Sequence, residues 1–428
     1  MSVEPVIVGA RLRHLALDLH GQGSLMIRCK LAFSALIAFN FLAVNVILTA
    51  QQQPSLETPR VTVETLVQTL GGNLTQDETG AVGYVDLNGT PVTDGELEYF
   101  TNLPSLTGLD LHNTQITDAG VAHLTGLPAL HFLNLSGTQV TNAGLANLSG
   151  FPALETLNLA VTQITNSGLS HLANLTALEF LGLAGTAVTD AGLVHLVGLK
   201  TLEFLDLYGT EVADEGMAHL TDLTSLKTLG LAGSQVTDAG LTHLQQLTAL
   251  EFLDLYGTQV TDSGLASLTE LRALETLNLA ATLVSDIGLA HLRELVTLKF
   301  LGLAGTLVTD AGLRHLTGLR ALETLDLYGT EVTDAGIAHL AVLPTLETLN
   351  LAVTSVTDAG VADLSRVETL RSLGLHATQV TDLGLTYLKG LRFLEALDVS
   401  NTQVTHAGVT ELQKTLPDCV IVNGEPMF

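Results

Sequence analysis

The chain has 428 residues, 17 Lys+Arg against 44 Asp+Glu, a formal net charge of −27, and 46% hydrophobic but only 4% aromatic residues. Acidity on this scale argues against a general nucleic-acid binder and against docking on anionic lipid, since both need an excess of cations. The apolar content excludes a disordered chain, two Cys exclude a disulfide scaffold, and abundant small aliphatics with few aromatics point to repetition rather than to the two or three domains that length suggests.

Residues 1–30 form a basic region with Arg11, Arg13, Arg28 and Lys30, and Met26 offers a second start. Leu31–Ala50 is a 20-residue apolar run, long enough to cross a bilayer. It reads as a signal peptide or an uncleaved signal-anchor helix. Leu48 stands where a cleavage site after Ala50 would carry a small residue. The cations ahead of the run orient the downstream chain outward, so the expected location is extracytoplasmic. Contact with a membrane is expected only through residues 31–50. Cys29 precedes the run, unlike a lipobox Cys, and Cys419 lies near the other end, so no internal disulfide is expected in an exported form. Residues 51–60 are a polar, Pro-containing linker. Residues 61–84 read as an N-terminal cap: an amphipathic helix, VTVETLVQTL, then an irregular strand, GNLTQDETGAVGYV.

From Val85 one motif returns every 24 residues: VDLNGTPVTD, LDLHNTQITD, LNLSGTQVTN and onward to LDVSNTQVTH at Leu397. Fourteen such units fill residues 85–420, and a last partial strand opens a C-terminal cap end at 421–428. In the unit from Leu202, Leu205 and Leu207 alternate with Asp206, the period of a strand buried on one face. Strands separated by a returning segment must be parallel. Thr210 ends the strand with a hydroxyl for the turn, replaced in its column only by Ser234. The T-D-A-G-L start places Thr or Asp as a helix N-cap, with Asn142 and Asn166 also suited to the Asp position and His406 a poor one in the last unit. Met217, Leu220 and Leu223 give a buried helical face, and the glycine column, broken only by Glu96, implies close packing between coils.

The unit L-x-x-L-x-L-x-x-T-x-V-T-D-A-G-L-x-H-L resembles the leucine-rich repeat family over roughly residues 82–424, with Thr where that family usually carries Asn or Cys. It is similar to exported bacterial arrays and to the repeat part of F-box proteins. The resemblance implies an α/β fold, a right-handed solenoid forming an arc or horseshoe, with a parallel β-sheet on the concave face and short helices on the convex face.

Two columns invite a reading as metal sites. His123, His171, His195, His219, His243, His291, His315 and His339 lie on the convex side, where helices pack about 8–10 Å apart, too far for zinc donors to converge. They read as exposed or half-packed residues beside the buried Leu, a column that makes stability sensitive to mild acid. The Asp column lacks the Gly-rich context of calcium repeats. No nucleophile elbow, zinc-helix or phosphate-loop motif is present. The expectation is a non-enzyme with no catalytic residues, metal or cofactor.

The aromatics concentrate on the concave face, ringed by carboxylates at Glu155, Glu179, Glu203, Glu251, Glu275, Glu323 and Glu347. Phe180, Phe204, Tyr208, Phe252, Tyr256, Phe300 and Tyr328 are the expected contacts for a protein or peptide partner of basic or polar character, with Asp206, Asp254 and Asp326 steering it. Two alternatives stand beside this reading. In one the face only stiffens an acidic envelope spacer, and the strand types recurring at 157–228 and 277–348 look like block duplication. In the other the array is a substrate receptor like F-box proteins, although the segment ahead of the repeats is a hydrophobic run and a linker.

Overall fold

A computed structural model describes residues 62–424, apart from residue 102. The basic region, the apolar run 31–50, the linker and Cys29 lie outside the described residues. Among those described, no helix is long and apolar enough to cross a membrane.

Among the described residues, sixteen strands form one open sheet in sequence order. β1 (Asn73–Gln76) and β2 (Val82–Asp86) form an antiparallel hairpin. From β3 (Gly108–Asp110) a three-residue strand arrives with every coil, through β7 (Phe204–Asp206), β8 (Thr228–Gly230) and β9 (Phe252–Asp254) to β16 (Val420–Val422). All pairings from β2 onward are parallel and in register at a 24-residue offset, as in Leu205↔Leu229 and Leu229↔Leu253. Each coil stacks the same side chains inward. In the coil of β7, Leu202, Leu205, Leu207, Val212, Met217, Leu220 and Leu223 are all fully buried. At roughly 1.5–3 kcal/mol for each fully buried aliphatic side chain, this column of leucines is the main source of stability. The convex segments are mostly one α-turn followed by a 3-10 turn, as in Asp214–Met217 and Ala218–Leu220. Apolar positions spaced by three, such as Met217 and Leu220, match the three-residue period of a 3-10 turn.

The structure corrects the expected role of the Asp column. The N-cap is the preceding Thr: Thr117, Thr141 and Thr237 each accept the N–H two residues on. The Asp reaches into the next coil. Asp118 Oδ1 accepts from the Thr141 N–H at 2.7 Å, and Oδ2 from the Thr141 hydroxyl at 2.6 Å. The backbone part of this contact, N–H to Oδ1, links every described coil to its successor from Asp94–Thr117 to Asp382–Thr405. At Asn142 and Asn166 the bond to the hydroxyl has reversed polarity, their Nδ2 donating to the hydroxyls of Thr165 and Thr189 at 2.8 Å, while Oδ1 still accepts the backbone N–H. Those two threonines make no cap bond, because the hydroxyl oxygen now accepts from the amide. Ala213 keeps only the backbone contact, to Asp190 at 2.7 Å.

This ladder also explains the expected close packing at the glycine column. A Cβ at Gly192 would lie 2.6 Å from Asn166 Oδ1 of the coil before it. Glu96 escapes that limit because no Asp-bearing coil precedes it. Its Oε2 instead accepts from the Thr93 N–H and hydroxyl at 2.9 and 2.6 Å, standing in for the missing acid. His406 takes the Asp column's place in the last unit described.

In the threonine column the hydroxyl donates to the carbonyl three residues back, as Thr210 does to Leu207 at 2.7 Å. Ser234 does not reproduce this. Its hydroxyl is buried with no partner, so the column tolerates loss of the bond once. The last residue of that turn is left-handed in every coil described. Glycine usually holds it, yet Val161 and Val353 stand there at φ 56° and 58°, an uncommon conformation for a β-branched residue.

The ends differ from the interior. The segment read as an irregular strand is the β1–β2 hairpin. Asp77 Oδ1 accepts from the Thr79 and Ala81 N–H groups, and Gly80 supplies φ +83°, so the chain reverses there. Helix α1 (Val63–Leu70) covers the first coil with Val67 fully buried. At the far end Gln413 Nε2 donates to the carbonyls of Leu416, Pro417 and Cys419, pinning the loop before β16.

Candidate functional site

The sheet alternation turns residues 204, 206 and 208 of β7 and its turn to one face, and 205 and 207 into the core. The ten residues expected to contact a partner therefore share one face. Tyr208 and Tyr328 are exposed (42% and 38%), whereas Tyr256, Phe180, Phe204, Phe252 and Phe300 are half-buried. Phe180 and Phe204 sit on adjacent strands and stack, centroids 4.1 Å apart at 15°. Phe252 and Phe300 are flanked by threonines instead: Thr228 and Thr276 pair with Phe252, Thr276 and Thr324 with Phe300. Not all aromatics follow this face. Phe100 and Phe151 are core residues, and Tyr99 and Tyr387 are exposed on helical segments.

Asp206, Asp254 and Asp326 have local duties that the sequence did not reveal. Each lends Oδ1 to the backbone N–H two residues on, at Tyr208, Tyr256 and Tyr328, at 2.9–3.0 Å. Asn134, Asn158, Asn278 and Asn350 do the same in other coils. The column thus orders the turn as well as carrying charge. Its glycines have a reason too: a Cβ at Gly230 would lie 2.8 Å from Asp206 Oδ1. Burial pushes all three carboxyls above the usual range, with the bond from the neighbouring turn opposing it. Asp254 is raised to about 6, with Asp206 adding a repulsive contribution.

The direction of this shift fixes a pH dependence. A carboxyl whose folded-state pKa is raised binds more protons folded than unfolded, so its contribution to stability falls as pH rises. For Asp254 the window lies between about pH 4 and pH 6, and the charged form opposes folding above it. Asp254→Asn keeps the Oδ1 acceptor and removes the charge. We expect the variant to gain about 1–2 kcal/mol at neutral pH, below the full value of the shift because the group is only half-buried, and to gain nothing near pH 4. Urea midpoints at the two pH values measure this, and an equal effect at both would contradict it.

The rim acids are partly neutralised. Lys227 bonds Glu203 at 2.7 Å, Lys299 bonds Glu275 at 2.8 Å, and Arg371 lies between Glu347 and Glu395. Glu155, Glu179, Glu251 and Glu323 form no salt bridge among the described residues. The convex histidines are half-buried, except for exposed His171. Partial burial, with Arg314 beside it, holds His315 below the usual imidazole range, so acidification costs stability there. No group of three potential metal ligands converges among the described residues. Leu283 and Leu307, which the sequence did not single out, are more than half exposed on neighbouring coils. The signal was available, since Gln and Glu predominate in that column.

Residues 141–282 match a family model described as a leucine-rich repeat region. The fold is similar to an internalin of Listeria monocytogenes, at 22% identity and TM-score 0.57 over 85% of this chain and 93% of that one. It is also similar to a leucine-rich-repeat protein of Leptospira interrogans, at 20% identity and TM-score 0.59 over 86% of this chain and 100% of that one. A TDR receptor aligns at 17% identity and TM-score 0.52 over 80% of this chain and 68% of that one. No curated protein matches the sequence.

Proposed function

The chain is a leucine-rich-repeat solenoid, and from that premise we propose that it is a non-enzymatic, extracytoplasmic interaction protein that binds a protein or peptide on its concave face. One observation carries this reading: Phe204, Asp206 and Tyr208 line one face of β7 and its turn, and Phe252, Asp254 and Tyr256 repeat that row on β9 and its turn. Aromatics held on a sheet lose little side-chain freedom on binding, which makes them effective anchors. The charge supports a basic or polar partner. Residues 51–428 hold 13 Lys+Arg against 42 Asp+Glu, a net of −29. Export rests on the sequence of residues 1–50.

Replacing Tyr208, Tyr256 and Tyr328 by Ala together is expected to abolish partner capture from native envelopes while leaving the unfolding free energy within about 0.5 kcal/mol of the parent. Unchanged capture would overturn the concave-face reading. The Phe180–Phe204 stack favours a second reading, in which this face stiffens an envelope spacer. That reading expects no saturable partner at all.

A further inference from the structure

The segments holding β7 and β9 carry the same sequence, EFLDLYGT, at 203–210 and 251–258, with β8 between the two strands. Two strand spacings separate the duplicates, about 10 Å. Phe204 and Tyr208 line one side of the interval and Phe252 and Tyr256 the other. β8 contributes only Thr228, Gly230 and Ala232 to the face between them, and Ala232 is almost fully buried. The result is a recess with aromatic walls and a floor of small residues.

The charge inside the recess is unbalanced at one end. At the phenylalanine end Lys227 already pairs with Glu203. At the tyrosine end lie Asp206 and Asp254. Their Oδ1 atoms accept the Tyr208 and Tyr256 N–H groups, and Asp254 Oδ1 also accepts from Asn278 Nδ2. Their Oδ2 atoms accept from no described residue.

We propose that this recess seats one arginine side chain of an extended peptide, its guanidinium between Tyr208 and Tyr256 and its N–H groups donating to Asp206 and Asp254. The proposal rests on the concave-face reading. A cation midway between the walls lies about 5 Å from each, inside the roughly 6 Å reach of a cation–π contact. The free carboxylate oxygens call for a cation that donates hydrogen bonds, which excludes a quaternary ammonium. A planar guanidinium meets both demands, stacking on a ring while donating in its plane, whereas a lysine ammonium presents a single point of charge. Tyr328 has no such frame: two strands away on either side the equivalent residues are Ala280 and His376. The array therefore specifies one arginine.

The probe is a fluorescein-labelled peptide, Gly-Pro-Pro-Arg-Pro-Pro-Gly, titrated with the protein by anisotropy at about 150 mM salt, where diffuse attraction is screened. Saturable one-to-one binding is expected. Tyr208→Ala with Tyr256→Ala, a change that keeps the net charge, should weaken it about tenfold. Tyr328→Ala should leave it unchanged. A lysine peptide should bind several-fold more weakly, and a citrulline peptide should not bind. No saturable binding, equal affinity for lysine and arginine, or equal loss in the Tyr328 variant would each overturn the seat. If the triple tyrosine variant loses its envelope partner while the parent ignores the arginine peptide, the seat falls and the concave face stands. If the triple variant keeps its partner, the concave face itself falls.

Discussion

Asp262→Ala is expected to cost about 3 kcal/mol, a larger loss than a surface Asp ordinarily causes. Asp262 Oδ1 accepts the Ser285 N–H at 2.7 Å and Oδ2 the Ser285 hydroxyl at 2.6 Å. Alanine strands both donors at a partly buried junction between coils. Asp262→Asn should cost only about 1 kcal/mol, the worth of a helix cap. Asn142 shows why: its Oδ1 accepts from Thr165 at 2.9 Å while its Nδ2 donates to the hydroxyl at 2.8 Å. What is lost is the Ser285 bond to the Ile287 N–H, present at 3.4 Å. Because each coil contacts only its neighbours, the damage falls on one interface, and the unfolding transition should broaden as well as shift. Urea unfolding with two probes tests this. Equal costs for the two variants would mean that the side-chain ladder does not hold the coils together.

Gly264→Ala should also be destabilising, by about 2–3 kcal/mol, although Gly→Ala in a helix ordinarily gains about 1 kcal/mol. A Cβ at Gly264 would lie 3.1 Å from both Asp238 Cγ and Leu241 Cδ1, and closer still to Asp238 Oδ1. Asp238 cannot swing away without releasing Thr261, which bonds both of its oxygens. Gly198→Ala is the control. Its Cβ would meet only the Ala173 carbonyl, at 3.6 Å, so it should leave stability unchanged. If both substitutions behave alike, the glycine column is not a packing constraint.

These two positions show what the sequence made legible. The 24-residue period, the alternation of Leu205, Asp206 and Leu207, and the glycine column were enough to place strands, core and coil contacts. The partner of Asp262 was not legible, because a carboxylate one residue inside a helix looks like its cap. Only the stacking of coils shows that it serves residue 285 rather than its own turn. The reversal at Asp77–Gly80 was hidden in the same way, since a polar stretch without alternation reads as an irregular strand until its side-chain bonds are seen. The shared face of Phe204, Asp206 and Tyr208 followed from alternation alone. The engagement of Asp206 with the Tyr208 N–H did not, for the same residue type serves equally well as a free surface charge.

The claim that the concave face is where this protein meets its partner is tested most directly by a tyrosine footprint. Tyr208 and Tyr328 are exposed on that face, while Tyr99 and Tyr387 are exposed to a similar degree, 46% and 39%, on helical segments. Nitration of the captured complex and of the free protein, read by mass spectrometry, compares the two sets within one molecule. Protection of Tyr208 and Tyr328 on binding, with Tyr99 and Tyr387 unchanged, is the expected result. Protection of Tyr99 or Tyr387 with Tyr208 and Tyr328 still reactive would contradict it.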